Sequence, residues 1–229
     1  MAIETLFLDA GGVLVYPNWT RVSETLGRHG VAVAATALRA AEPHAKKCID
    51  SGDAVRATND RQRGWTYFNL VLERAGVELT PATDAALAEL HQYHQQHNLW
   101  ETVGDEVRGA LRQLRGFGLR LVVVSNANGT LHRAFARLGI ADAFDAVFDS
   151  SDEGVEKPDP RFFRIALDRT GSRAETTTHV GDLYHVDVVG ARSAGLGAIL
   201  LDEADLYAGC DCLRVRSLTD LVTAVSVSM

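Results

Sequence analysis

The chain has 229 residues, of which 46% are hydrophobic and 23% charged, enough apolar material to pack a core and too much for a disordered chain. Lys and Arg total 23 against 30 Asp and Glu, so the net charge is −7 and a basic nucleic-acid footprint is excluded. No apolar run approaches the roughly 18 residues that a membrane-spanning helix needs.

In chain order, the first apolar run is Leu6-Phe7-Leu8, which stops at Asp9. It reads as a short strand buried on both faces. No basic leader precedes it, and Glu4 and Asp9 interrupt it, so a signal peptide is not expected. From about Asn18 to His97 strand patterns are absent and helical spacing takes over. Asn18 is placed to cap a helix bearing Val22 and Leu26. Ala32 to Cys48 is Ala-rich, with an interruption expected at Pro43. Trp65, Phe68, Leu72 and Ala75 share a helix face ahead of Gly76. Pro81 opens another helix, with Leu87, Leu90 and His94 on one face.

Past Leu99-Trp100, strands and helices alternate. Leu121 to Val124 precedes Ser125-Asn126; Ala146 to Phe148 precedes Asp149; His179-Val180 precedes Gly181-Asp182; Ala198 to Leu201 precedes Asp202. Between them lie helical faces at Val107, Leu111 and Leu114 before Gly116, and at Leu131, Phe135 and Leu138 before Gly139. A third, at Phe162, Phe163, Ala166 and Leu167, ends before Gly171. The pattern predicts an α/β fold, a doubly wound parallel sheet with right-handed crossovers. Residues 1–16 and 99–229 form the core, and residues 17–98 form an inserted helical domain. An insert rooted just past a strand end lies over the ligand crevice of such a sheet, which makes it a lid by position.

Asp9, Ser125, Lys157, Asp182 and Asp187 all fall at carboxyl ends of strands or in the loops after them. They converge if the first strand lies between the second and the fourth. That is the composition of a phosphoryl-transfer site. Carboxylates hold Mg²⁺, Lys and a hydroxyl hold phosphoryl oxygens, and an Asp serves as nucleophile.

These motifs, in order, are LFLDAGGVL, VVVSNANG, EGVEKPDPRFF and HVGDLYHVDVVGARSAG. Together they resemble the four motifs of the haloacid dehalogenase-like hydrolases, and the helical insert resembles that family's helical cap. The resemblance implies a Rossmann-like core and a Mg²⁺-dependent phosphatase of a small phosphorylated metabolite. Asp9 would be nucleophile and metal ligand, with the Gly11 carbonyl as a second ligand. Ser125 and the Asn126 amide would hold phosphoryl oxygens, and Lys157 would stabilise the developing charge. Asp182 would ligate the metal, and Asp187 would complete its site by holding the water shell.

One position departs from the family pattern. Phosphatases of this family carry an acid-base Asp two residues after the nucleophile, where this chain has Gly11. General acid-base help is worth about 10²–10⁴ in rate. The leaving group then needs little protonation, or another group substitutes, with His185, His29, His44, Lys46 and Lys47 as candidates. A weak enzyme or a non-catalytic phosphate-binding module is the alternative. Haloacid or phosphonate hydrolysis ranks below these; the latter would need Lys46 or Lys47 as a Schiff-base amine, whereas both read as solvated.

Further residues have plainer readings. His91, His94 and His97 are expected at a solvated helix end. Tyr67, Phe68 and Trp65 are expected in the insert's core, while Tyr16, Pro17 and Trp19 divide evenly between core and pocket. One of Asp149, Asp152 and Glu153 is a candidate to orient Lys157. Cys48, Cys210 and Cys212 do not make a disulfide framework, so a reduced, cytoplasmic protein is expected, with Cys210-x-Cys212 a buried or half-exposed pair rather than a metal-binding or redox pair. The expected state is a monomer or homodimer with no nucleic-acid or membrane partner.

Overall fold

The computed structural model describes residues 3–227, apart from the side chain of Trp65. Two compact units emerge: the chain up to Tyr16 together with Thr102 onward, and Pro17–Glu101. No helix among the described residues is long and apolar enough to cross a membrane.

The chain opens with β1 (Thr5–Leu8), wholly buried, and a tight turn leads to β2 (Val15–Pro17). Gly12 allows that turn with φ +75°, a conformation that L side chains resist. The helical unit follows, with α1 (Trp19–Arg28), α2 (Ala35–Ile49), α3 (Gly52–Ala57), α4 (Asp60–Arg74) and α5 (Pro81–His97). Asn18 caps α1 by accepting the Arg21 N–H at 3.0 Å. Thr80 and Pro81 start α5 as the sequence predicts.

Pro43 does not interrupt its helix, because α2 runs straight through it. An internal proline costs about 3 kcal/mol. Here Leu38, Ala41, Ala45 and Ile49 are all buried on one face, and that burial outweighs the lost backbone bond. Trp19, Tyr67 and Phe68 also pack this core, while the Trp65 side chain lies outside the described residues. The core is not wholly apolar. Glu42 is buried, accepts the Trp19 indole N–H at 3.0 Å and faces Lys46 at 3.4 Å. Lys46 is therefore not the solvated group its sequence context suggests.

The solvated-end reading also fails for His94. Its Nδ1 accepts the Leu99 backbone N–H at 3.1 Å, and its ring meets Trp100 edge-on. His91 bonds Gln95 and His97 lies against Tyr93, so the three imidazoles do not converge.

The return strand β3 (Trp100–Val103) pairs with β2 as a separate two-stranded sheet. Then come α6 (Val107–Gly116), β4 (Arg120–Ser125), α7 (Leu131–Leu138), β5 (Ala146–Asp149) and the single turn α8 (Ser150–Glu153). After α9 (Pro160–Thr170) and β6 (Thr177–Gly181), a π-helical turn at Tyr184–Val188 leads into α10 (Val189–Ser193). β7 (Gly197–Leu201), β8 (Leu213–Val215) and α11 (Leu218–Val227) complete the described chain. Gly139 and Gly171 stop α7 and α9 in left-handed backbone as predicted. Gly116 instead lies inside α6, and Gly118 takes the left-handed position.

Six strands form one parallel sheet in the order β5-β4-β1-β6-β7-β8. The fold is the doubly wound α/β sheet that the alternation predicts. Phe7, Val122 and Val124 pack on Phe162, Phe163, Ala166 and Ala191 of α9 and α10. Strand alternation sends Leu6 and Leu8, both fully buried, to the opposite face. The edge strand β8 was not evident in sequence, because it is three residues long and only Val215 is buried.

Burial, reinforced by His91, lowers the His94 pKa from 6.5 to about 4. The unfolded chain therefore binds this proton more readily, so the contribution to stability is complete above pH 6.5 and is lost as pH falls towards about 4. His94→Gln should flatten the acid limb of stability across that interval, read from urea unfolding midpoints at a series of pH values.

Candidate functional site

The chain reverses its direction of travel across the sheet at β1, which lies between β4 and β6. Such a switch point opens a crevice at the carboxyl ends of the strands. Leu8 pairs with Val123 on one side and Val180 on the other, and the Asp9 N–H continues β1 by bonding the Val180 carbonyl at 2.9 Å. Asp9 therefore emerges beside Ser125 and Gly181-Asp182.

Lys157 occupies the centre. Its Nζ donates to Asp9 Oδ1 and to Asp187 Oδ1, both at 2.7 Å. The lysine side chain is 1% exposed. Burial alone would lower its pKa, but the carboxylates of Asp187 and Asp9 reverse this and hold it raised. Burial likewise opposes ionisation of Asp187, and Lys157 and His179 outweigh it, so that carboxyl lies well below the usual range. At Asp9 burial prevails: its pKa is raised despite Lys157 and a hydrogen bond from Ser125. Asp9, Asp182 and Asp187 each offer an oxygen within 4.8 Å of the others.

Local structure explains the placement. The side chain of Asn126 clamps the Lys157 backbone, accepting its N–H at 2.7 Å and donating to its carbonyl at 3.0 Å. The Asn126 side chain is thus committed to holding Lys157. Asp187 sits on the π-helical turn, where Oδ2 accepts the Leu183 N–H at 2.9 Å and Oδ1 accepts from His179 Nε2 at 3.0 Å. Gly181 is required by space: a Cβ there would lie 2.1 Å from Asp187 Cγ. Gly190 seats α10 against the lysine's turn, since its Cβ would meet Pro158 Cα at 3.0 Å. Gly11 belongs to the Ala10–Val15 turn, and its bridge to Val15 fixes the backbone just after Asp9.

Two contributions were not evident in the sequence. His179 is fully buried on β6, with its ring edge against Phe163 and Nδ1 without a partner. Burial lowers its pKa, so a neutral ring donating from Nε2 is the form that suits Asp187. Its only sequence signal is an imidazole directly before Val180 in a short strand. Asp149 does not orient Lys157 but accepts the N–H groups of Gly129, Leu131 and Ser151, fixing the loop after β4.

A family model described as haloacid dehalogenase-like hydrolase matches residues 3–195. The human haloacid dehalogenase-like hydrolase domain-containing protein 3 is 33% identical over 142 residues, 61% of this chain and 56% of that protein. This chain spans about half the length of several such relatives. A phosphoserine phosphatase of Thermus thermophilus is 39% identical over 162 residues, covering 69% of this chain and 63% of that one. Among solved structures, a magnesium-bound hydrolase of the same superfamily from Bacillus subtilis superposes with a TM-score of 0.71. It is 17% identical over 98% of this chain and 99% of its own, a likeness of fold.

Removing one partner of a buried ion pair leaves an uncompensated charge at a cost of about 3–5 kcal/mol. Lys157→Met should destabilise the protein by about that amount at neutral pH in chemical denaturation. The depressed Asp187 pKa stabilises the fold above the ordinary carboxyl range near pH 4, and this is lost as pH falls below it. The deficit of Lys157→Met should therefore shrink in acid. Gly181→Ala should cost about 1–3 kcal/mol by overpacking against Asp187, whereas Gly116→Ala, with open space around it, should be nearly neutral.

Proposed function

The chain belongs to the haloacid dehalogenase-like hydrolases, and we propose that it is a Mg²⁺-dependent phosphatase of a small phosphorylated metabolite, with Asp9 as nucleophile. The observation that carries this reading is a cluster of carboxylates. Three buried carboxylates, Asp9, Asp182 and Asp187, each offer an oxygen within 4.8 Å of the others, and Lys157 pairs with two of them. Buried charge demands compensation, and carboxylate oxygens are the ligands of a hard divalent cation. The donor set therefore fits Mg²⁺, held by Asp9, Asp182 and the Gly11 carbonyl, with Asp187 beside it. Without such a cation the three carboxylates would repel an anionic substrate. This weighs against haloacid hydrolysis, which in this superfamily runs without the metal.

Bound Mg²⁺ would supply charge neutralisation to the phosphoryl group and favour ionised Asp9. The chain's own residues do the rest. Lys157 holds Asp9 Oδ1 and so orients the carboxylate whose oxygen attacks phosphorus in line. The bond from phosphorus to the leaving oxygen breaks as the bond to Asp9 forms, and water then hydrolyses the aspartyl-phosphate. Ser125 and the Asn126 N–H hold phosphoryl oxygens, and the Asn126 side chain keeps Lys157 in line. Asp187 acts through the lysine, since both its oxygens already accept hydrogen bonds. The helical unit serves as the cap that selects the substrate. Lys46 is engaged by the Glu42 carboxylate at 3.4 Å within the helical unit, which weighs against its use as a Schiff-base amine.

Gly11 supports a second reading, an anion-binding module with little turnover, because the usual acid-base side chain is missing. Phosphate release from a panel of acyl, aryl and alkyl phosphates with Mg²⁺ separates the two. The phosphatase reading expects release that is abolished by Asp9→Asn and by chelator. No release from any member of the panel would favour the binding module. Turnover should fall steeply as the leaving-group pKa rises, and Gly11→Asp should raise it on alkyl phosphates by up to about 10²-fold.

A further inference from the structure

Cys210 and Cys212 lie on the segment between β7 and β8, outside the site's hydrogen-bond network around Lys157. Their Sγ atoms are 3.3 Å apart. The backbone bends at Asp211 and Cys212, and both thiols are half-buried against the cluster of Val188, Leu200 and Tyr207. Asp211, between them, binds both flanks of the π-helical turn that carries Asp187. Its Oδ1 accepts from the Tyr184 hydroxyl at 2.7 Å and from Arg192 Nη1 at 2.8 Å, and its carbonyl accepts from Arg192 Nη2 at 2.7 Å.

We propose that Cys210 and Cys212 are a modification site, a dithiol closed reversibly to a disulfide by a small-molecule disulfide, and that closure loosens the Asp211 tether to Tyr184 and Arg192. The sulfurs need to approach by only about an ångström to reach bonding distance, near 2.05 Å. A ring spanning three residues gains little from loop closure, so the bond is labile rather than structural. Burial and the contact with Cys210 push the Cys212 thiol up to about 12. With Cys210 as the attacking thiol, closure runs in two steps. The Cys210 thiolate displaces one thiol from the oxidant and forms a mixed disulfide. Cys212 then loses its proton to solvent, attacks Cys210 Sγ and releases the second thiol. Two protein thiols are oxidised and one small disulfide is reduced to two thiols. Closing the ring turns the backbone of residue 211, and that residue makes the contacts to Tyr184 and Arg192.

The test needs no catalytic activity, so its outcome is independent of the phosphatase reading. Cys48→Ser removes the third thiol, which is exposed on the helical unit. That variant is equilibrated with oxidised and reduced glutathione at a series of ratios, alkylated and weighed intact. The expected result is a fall from two free thiols to none, with loss of two hydrogens and no bound glutathione, reversed by excess dithiothreitol. Adding Cys210→Ser or Cys212→Ser should abolish the internal bond. Two free thiols at every ratio, or glutathione on both cysteines, would overturn the pair. Hydrogen exchange of residues 184–192 should be faster in the oxidised form than in the reduced form. Equal exchange would overturn the tether.

Discussion

A buried ammonium held between two buried carboxylates organises one end of the sheet. Lys157 is taken out of water, which is costly, and it is tolerated because Asp9 and Asp187 each accept from it at 2.7 Å. The surrounding structure serves that arrangement. Asn126 clamps the lysine's backbone, Gly190 lets α10 close on Pro158, and the Leu183 N–H and His179 pin Asp187. Gly181 has no side chain because Asp187 occupies the space where a Cβ would stand. A stability device and a candidate catalytic device are therefore the same set of atoms.

The same arrangement gathers carboxylates, since Asp182 joins Asp9 and Asp187 with oxygens within 4.8 Å of one another. A carboxylate cluster of this kind suits a divalent cation and, through it, an anionic substrate. Gly11 sets the opposing constraint. A backbone carbonyl remains there for a metal, but no side chain remains to protonate a departing alkoxide. In the proposed reaction the substrate's own leaving-group chemistry fills that gap, which bears on the substrate class more directly than similarity to any relative does.

The helical unit follows a different packing logic. Its core mixes apolar residues with the Trp19–Glu42–Lys46 chain and with His94, which accepts the Leu99 N–H past the end of α5. Buried polar groups of this kind require satisfied partners, and their cost makes the unit's stability sensitive to pH in a way that an all-apolar core is not.

Much of the architecture was legible because it rests on local signals. Apolar runs ending at Asp9, Ser125 and Gly181 mark buried parallel strands, and Gly139 and Gly171 mark helix ends. Where local rules misled, packing had overruled them. Pro43 stayed inside α2 because one helix face was buried, and Gly116 stayed inside α6 because Gly118 offered the left-handed turn. His179 was hidden because a histidine in a strand carries no local mark of the carboxylate it will meet eight residues on. The Asn126 clamp was hidden too, since it joins loops 31 residues apart.

By itself the sequence determined the residue types, their order and the strand ends that carry them, and hence the family resemblance and the missing side chain at Gly11. Only the tertiary structure decided that Lys157 serves two carboxylates at once, that Asp187 is held from three directions, and that two cysteine sulfurs touch. The sulfur contact depends on a local backbone bend that the spacing alone does not fix, and the lysine's placement on distances between segments remote in sequence. Such distances are set by β-sheet register and close packing, which no local pattern encodes.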